Sequence, residues 1–280
     1  MKYSALDKIN FLINTYGRMF AAVFRFSTWS GFLLLAIFQL VGLFAFVKFY
    51  SPGIFQVVHP LLSYFLPPLL FHYPQYYLAL PTIYSGYENF IIGPTVWVVL
   101  SAFAVYRLNG YYRGAKTAWA ESFARAFGAY PQLLLLWALE TATVLITVVL
   151  PSKLIAGYIV GSPQWQLALN TGLQLLAFMI LAFLIYVIPG VIAGGQKIGT
   201  AILRSLDLCR RNFFLTYFLV LLPNVAKMAI DFVLSEFSPR IVKSMNPEII
   251  VWLLAARILF GIFINLFIYG TAVFVYKKMS

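Results

Sequence analysis

The chain is poor in charge: only 10% of its 280 residues are charged, and just 8 of them are acidic. Soluble domains typically carry about 25% charged residues. Hydrophobic residues make up 62% of the chain, and the mean hydropathy is +0.88. A chain this apolar cannot cover its own surface with polar groups, which excludes an ordinary soluble domain and predicts lipid as the solvent for much of it.

The residues that carry most nucleophile and metal chemistry are also scarce. Cys209 is the only cysteine, which excludes an internal disulfide and a thiolate metal cluster. His59 and His72 are the only histidines, and the prolines between them prevent a bis-histidine haem site on one helix. No G-x-S-x-G or H-E-x-x-H motif occurs. We therefore expect no catalytic, cofactor-binding or metal-binding residues.

What the sequence does contain is six long apolar segments, each near the length of about 20 residues that a bilayer requires. We predict membrane spans at about 29–50, 89–106, 131–150, 167–192, 213–237 and 249–276. Residues 51–82 hold six prolines, so we expect short helices at the outer interface there. The predicted fold class is an all-α polytopic membrane protein, with residues 1–280 forming a single integral membrane domain.

Lys and Arg alternate from one side of the predicted bilayer to the other. Fourteen lie in the N-terminal arm (1–28), the second and fourth loops and the tail, whereas the opposite loops hold only Lys48, Lys153, Arg240 and Lys243. Cationic loops stay on the cytoplasmic side, so we expect both termini there. The net charge of +12 then indicates contact with anionic lipid headgroups rather than nucleic acid.

A basic amphipathic stretch precedes each odd-numbered span, at residues 1–28, 107–129 and 194–211. Such stretches are typical of helices that lie in the membrane interface. The chain therefore has the pattern of three copies of an interfacial helix followed by a transmembrane hairpin. Duplication of an ancestral unit would explain the pattern. So would a common requirement for basic flanking sequence at the start of each helix that runs outward from the cytoplasmic side.

Four charged residues fall inside predicted spans, where each needs a partner or a purpose: Glu140, Lys227, Asp231 and Arg257. Their depths predict two interhelical ion pairs, Glu140 with Lys227 and Asp231 with Arg257. One hypothesis is that these pairs fix helix packing. The other is that they line a polar path for a proton, an ion or a lipid headgroup.

Uncharged polar residues form two further candidate groups. Intramembrane amides suited to helix packing or a cavity are Asn170, Gln174, Asn224 and Asn265. A possible surface for a partner or for lipid comprises His59, His72, Tyr73, Tyr76 and Tyr77.

The segments 201–206 (AILRSL) and 211–214 (RNFF) open the fifth span. They resemble the signature of bacterial six-helix inner-membrane proteins, a group that includes the YciC-like proteins and the membrane domain of some glycerophosphodiester phosphodiesterases. The resemblance implies a six-helix inner-membrane protein with an envelope or lipid-related role, and it implies no reaction.

These observations favour a non-enzymatic membrane protein that serves a lipid-related or envelope role, or acts as an accessory subunit of a larger membrane complex. A small transporter that uses the intramembrane charges is the alternative. An intramembrane enzyme is the second alternative. Tight ion pairs would favour the first function, and a continuous polar cavity would favour transport.

Overall fold

A computed structural model describes residues 5–63, 71–156, 163–244 and 246–279. The regular structure of these residues is helical throughout. Six helical runs are long and apolar enough to cross a membrane. The predicted class, an all-α polytopic membrane protein with six spans, is confirmed.

The helices occupy most of the described chain. Their bounds are α1 Ala5–Val23, α2 Phe26–Val47, α3 Pro52–Ser63, α4 Tyr76–Tyr87, α5 Val98–Arg113, α6 Trp119–Val144, α7 Leu150–Ala156, α8 Pro163–Leu184, α9 Val187–Ile192, α10 Ile198–Arg211, α11 Phe213–Lys243 and α12 Ile249–Met279. Two π-helical segments, Glu88–Trp97 and Leu145–Val149, join α4 to α5 and α6 to α7.

The second span differs from its prediction, because it begins well before residue 89. It runs without a break from Tyr76 to Arg113, a length of 38 residues, and contains both Pro81 and Pro94. Pro94 lies in the first π-helical segment, whose wider turn relieves the clash between a proline ring and the preceding turn. The prolines of residues 51–82 therefore made the predicted start of the span too late, although the separate helix α3 does form in that segment.

Separate helices precede the first and fifth spans, as predicted, but none precedes the third. Their position in the membrane interface stays a prediction. Helices α1 and α10 are separate from the spans that follow them. Residues 107–129 form no helix of their own: the first seven complete α5, and α6 begins at Trp119 and continues through Pro131 into the span. Gly114, at a φ of +69°, supplies the turn between α5 and α6, where a left-handed backbone conformation favours glycine.

The chain divides into two compact units, and the long helices pass from one to the other. Unit 1 comprises the described residues of Met1–Gly31, Val98–Pro223 and Asn265–Ser280. Unit 2 comprises those of Phe32–Trp97 and Asn224–Ile264.

In unit 1, Ser205 of α10 bridges the break between α8 and α9. Its hydroxyl donates to the carbonyl of Phe183 at 2.7 Å and accepts from the backbone N–H of Tyr186 at 3.3 Å. Ala201, one turn earlier, is fully buried, and a Cβ added at Gly190 would lie 3.1 Å from its methyl group. The 201–206 segment thus satisfies backbone groups that the interrupted helix would leave unpaired inside the protein.

Unit 2 is organised around the buried ring of Phe49. We call its residues the Phe49 aromatic cluster, and they are Phe49, Tyr50, Phe55, His59, Phe71 and Tyr76. The centroid of the Phe49 ring lies 4.8 Å from that of Tyr76, 5.2 Å from that of Phe55 and 5.8 Å from that of Phe71. The Tyr76 hydroxyl donates to the Phe46 carbonyl at 3.0 Å, and so the end of α2 is tied to the start of α4.

Close packing at Gly31 gives a test of this arrangement. A Cβ at Gly31 would lie 3.1 Å from the Leu100 carbonyl oxygen and 2.9 Å from the Phe103 ring of α5. We expect Gly31→Ala to lower stability by about 1–3 kcal/mol, since α2 and α5 must separate to admit the methyl group. Gly17→Ala on α1 is the control, because nothing lies within 4 Å of its added Cβ.

Thermal unfolding in detergent measures both variants. Gly31→Ala should unfold at a lower temperature than the wild type, and Gly17→Ala at the same or a slightly higher one. Equal midpoints for the two variants would contradict the close contact between α2 and α5.

Candidate functional site

Four polar side chains meet in unit 2, one each from α2, the first π-helical segment, α11 and α12. The Arg257 Nη2 lies 3.1 Å from Glu88 Oε2, and the Arg257 Nε lies 3.1 Å from Asp231 Oδ1. Gln39 Nε2 donates to Glu88 Oε1 at 2.8 Å. We call Gln39, Glu88, Asp231 and Arg257 the Arg257 cluster.

The Arg257 cluster lies well inside the lengths of its helices. At about 1.5 Å per residue, Arg257 is roughly 12 Å from the start of α12, and Asp231 is roughly 18 Å from the end of α11. Glu88 is roughly 18 Å from Tyr76, where the second span begins. These charges therefore belong to the membrane-spanning part of the chain, where unpaired charge is costly.

The guanidinium is the most enclosed member of the cluster. The exposed fractions of the side chains are 13% for Arg257, 22% for Glu88 and 31% for Asp231. A planar guanidinium can face two carboxylates at once through different nitrogen atoms, which a lysine ammonium on its flexible stem does less well. Arg257 thus links three helices through a single side chain.

The backbone around the cluster is also unusual. Glu88 is the first residue of the π-helical segment, and such segments often occur at functional positions. Tyr84, one turn earlier, is fully buried, and its hydroxyl has no hydrogen-bond partner within the described part of the chain. The Tyr87 hydroxyl donates to the Phe38 carbonyl at 3.3 Å and so holds α4 against α2 beside Gln39.

The structure contains one of the two predicted ion pairs. Asp231 and Arg257 are in contact, as their depths predicted, but Arg257 also contacts Glu88, which the sequence analysis did not include. Glu140 belongs to unit 1 and Lys227 to unit 2, so their pairing stays a prediction. Lys227 is half-buried and lies one turn before Asp231 on the same face of α11.

The predicted intramembrane amides are divided between the units. Gln174 and Asn265 are half-buried in unit 1, and Asn224 is buried in unit 2. The side chain of Asn170 lies outside the described residues. None of the four belongs to the Arg257 cluster, whose amide is Gln39 of the first span.

The predicted partner surface is only partly exposed. Tyr76 and Tyr77 are buried within unit 2, at 1% and 8% exposure, and therefore form core rather than surface. His59 stacks on Phe55 with ring centroids 4.4 Å apart, whereas His72 is exposed. Tyr73 is exposed, and its hydroxyl donates to Glu248 at 3.5 Å. Desolvation and the Glu248 carboxylate raise the pKa of Tyr73.

The sequence does not predict Glu88 or Gln39 as members of the Arg257 cluster. The predicted second span began at residue 89, which placed Glu88 in the outer loop. The apolar and aromatic run from Tyr76 onward was the available signal, because a span that starts there brings Glu88 to the depth of Asp231 and Arg257. Gln39 is a lone amide in an otherwise apolar span, a position that carries no signal of a charged partner in the sequence.

The described residues offer little reactive chemistry elsewhere. Cys209 is fully buried on α10, and desolvation raises the pKa of its thiol to about 11, so the thiolate needed of a nucleophile is disfavoured. No group of three or more metal-ligating side chains is found among the residues that the structure describes.

No family model matches the chain, and no curated protein and no solved structure does so either.

The Arg257 cluster predicts a large effect of removing its cation. We expect Arg257→Met to lower stability by about 3 kcal/mol, because it leaves two half-buried carboxylates without their shared partner. Arg257→Lys should lie between Arg257→Met and the wild type, since an ammonium on a flexible stem holds both carboxylates less well. Arg240→Met, at an exposed position of the same unit, is the control.

Denaturant or thermal unfolding of the purified protein in one detergent compares the three variants. A cost for Arg257→Met no greater than that for Arg240→Met would show that the contacts with Glu88 and Asp231 contribute no stability.

Proposed function

We propose that this chain is a non-enzymatic protein of the bacterial inner membrane, with both termini cytoplasmic, that serves as a lipid-related scaffold or as an accessory subunit of a membrane complex. The observation that carries the proposal is the closure of the Arg257 cluster. Its guanidinium lies 3.1 Å from a carboxylate oxygen of Glu88 and 3.1 Å from one of Asp231, and Glu88 also accepts a hydrogen bond from Gln39. The Asp231 contact is an ion pair without hydrogen-bond geometry, since the Arg257 Nε has no hydrogen-bond partner in the described chain. Charges that bind one another in this way hold helices in place.

A scaffold needs a fixed framework more than a moving one, and several contacts fit that need. Ser205 closes the interruption between α8 and α9. Arg107 of α5 is buried, and its Nε donates to the Ser27 carbonyl at 2.8 Å while its guanidinium lies 5.1 Å from the Trp119 ring. The resemblance of residues 201–206 and 211–214 to six-helix inner-membrane proteins agrees with this proposal.

A second candidate is a small transporter. The observation that favours it is the conjunction of the π-helical segment that begins at Glu88 with the buried Tyr84 hydroxyl, which has no hydrogen-bond partner in the described chain. Interrupted helices and intramembrane carboxylates do occur in transport pathways. Here, however, the carboxylate beside Tyr84 is already engaged by Gln39 and Arg257.

Proton flux separates the two candidates. The protein is reconstituted into liposomes that contain a pH-sensitive dye, and a potassium diffusion potential is imposed with valinomycin. We expect no more acidification than in empty liposomes, because a closed ion-pair cluster provides no path for protons. A proton flux above that of empty liposomes, if Glu140→Gln or Glu88→Gln abolishes it, would overturn the scaffold proposal in favour of transport.

A further inference from the structure

Four exposed cations of unit 1 lie against aromatic rings or a backbone carbonyl of α1, α5 and α12. Arg18 Cζ lies 5.0 Å from the Phe274 ring centroid, and Lys278 Nζ lies 4.7 Å from that of Phe11. Arg25 Cζ lies 5.0 Å from the Tyr111 centroid. Lys277 Nζ donates to the Tyr112 carbonyl at 3.0 Å. We call Arg18, Arg25, Lys277 and Lys278 the cationic platform.

The platform has a continuous aromatic base. Phe11 and Phe274 are stacked at 6.3 Å, Phe274 lies 5.5 Å from Tyr112, and Tyr112 lies 5.3 Å from Tyr111. The base is fixed by a hydrogen bond at 3.2 Å from the Tyr112 hydroxyl to the Gly270 carbonyl. Cation–π contacts orient Arg18, Arg25 and Lys278, and a hydrogen bond to a neutral carbonyl orients Lys277, so none of the four is neutralised.

No described carboxylate balances this charge. The ion pairs of the described chain are Arg211 with Asp207 and Arg257 with Glu88 and Asp231, and none includes a platform residue. Glu121 accepts a hydrogen bond from Tyr106. The acid nearest along α1 is Asp7, whose side chain lies outside the described set. Within the described part of the chain, the four exposed cations therefore have no carboxylate partner.

Helix α1 carries the surface expected of a helix that lies at the edge of the hydrocarbon. Ile9, Ile13 and Phe20 are 53%, 62% and 61% exposed. At about 100° per residue these three side chains share one stripe, and Arg18 projects from the opposite side. When the stripe faces acyl chains, Arg18 faces the headgroup layer, which is the arrangement of interfacial amphipathic helices.

We propose that the cationic platform is a binding site for the phosphodiester headgroup of an anionic phospholipid in the surrounding bilayer. A guanidinium donates in parallel to two phosphate oxygens, and an ammonium adds a compact positive charge. Arg18 and Arg25 supply the first kind of contact, and Lys277 and Lys278 supply the second. The inference rests on the proposed lipid-related role and names the lipid class that this role involves.

The test compares two variants that lose the same charge. Arg18→Gln/Lys278→Gln removes two platform cations, and Arg210→Gln/Lys243→Gln removes two exposed cations outside the platform. Each purified protein, in a neutral detergent, is titrated with phosphatidylglycerol and separately with phosphatidylcholine. Bound lipid is counted by native mass spectrometry.

We expect the wild type and the control to bind phosphatidylglycerol more tightly than phosphatidylcholine. The platform variant should lose roughly 25-fold in affinity for phosphatidylglycerol, since each cation near an anionic surface contributes about a fivefold factor. Equal losses in the two variants, or none in either, would overturn the site. If the double variant does not fold, the single variants Lys277→Gln and Lys278→Gln should each lose about fivefold, and unchanged affinity in both would overturn it equally.

Inorganic phosphate distinguishes a lipid site from a site for a free anion. It is added at millimolar concentration to protein that has bound phosphatidylglycerol. We expect the lipid to stay bound, because its acyl chains add apolar contact with α1; displacement would overturn the lipid assignment. Proton flux in liposomes together with intact lipid selectivity would instead refute the scaffold function and leave the site in place.

Discussion

No water solvates a charged side chain inside a bilayer, so such a side chain needs partners within the protein. The Arg257 guanidinium is the charged group through which this constraint most affects the fold. Its two contacts of 3.1 Å, with Glu88 and Asp231, join the second, fifth and sixth spans, and Gln39 adds the first span through Glu88. Removing any one member leaves another without its partner in an apolar setting. The packing of these helices in unit 2 is therefore specified by polar contacts as well as by apolar surface. Apolar side chains alone specify helix packing poorly in a membrane, because lipid tails are equally apolar.

The two units solve the same problem of unpaired polar groups by different means. Unit 2 pairs charged side chains within its spans and packs aromatic rings around Phe49. Unit 1 satisfies interrupted backbone with the Ser205 hydroxyl, and the four cations of its cationic platform lie exposed against aromatic rings or a backbone carbonyl. The first arrangement uses its charges internally, whereas the second leaves them for a ligand. This difference is why a scaffold framework and a headgroup site are proposed for different parts of one chain.

The sequence predicted the number of spans and the helical class because both follow from long apolar runs, and it predicted the Asp231–Arg257 contact because depth along a helix is simple to count. It placed the start of the second span too late, since the prolines of residues 51–82 favoured a separate segment there, whereas Pro81 lies within the helix that begins the span. That single error put Glu88 outside the membrane and concealed the third member of the ion-pair cluster. The exposure of Tyr76 and Tyr77 was misjudged for a related reason: a tyrosine-rich stretch is typical of an interface, and only three-dimensional packing around Phe49 shows that these rings are core.

The central claim is that Glu88 and Arg257 stabilise the fold through each other, and a double-mutant cycle measures this directly. The unfolding free energies of the wild type, Glu88→Gln, Arg257→Met and the combined variant are compared in one detergent. The account predicts a coupling energy of at least about 1 kcal/mol, with the combined variant less destabilised than the sum of the single variants, because the neutral amide introduced by Glu88→Gln no longer needs the guanidinium. Additive effects, with a coupling energy indistinguishable from zero, would contradict it.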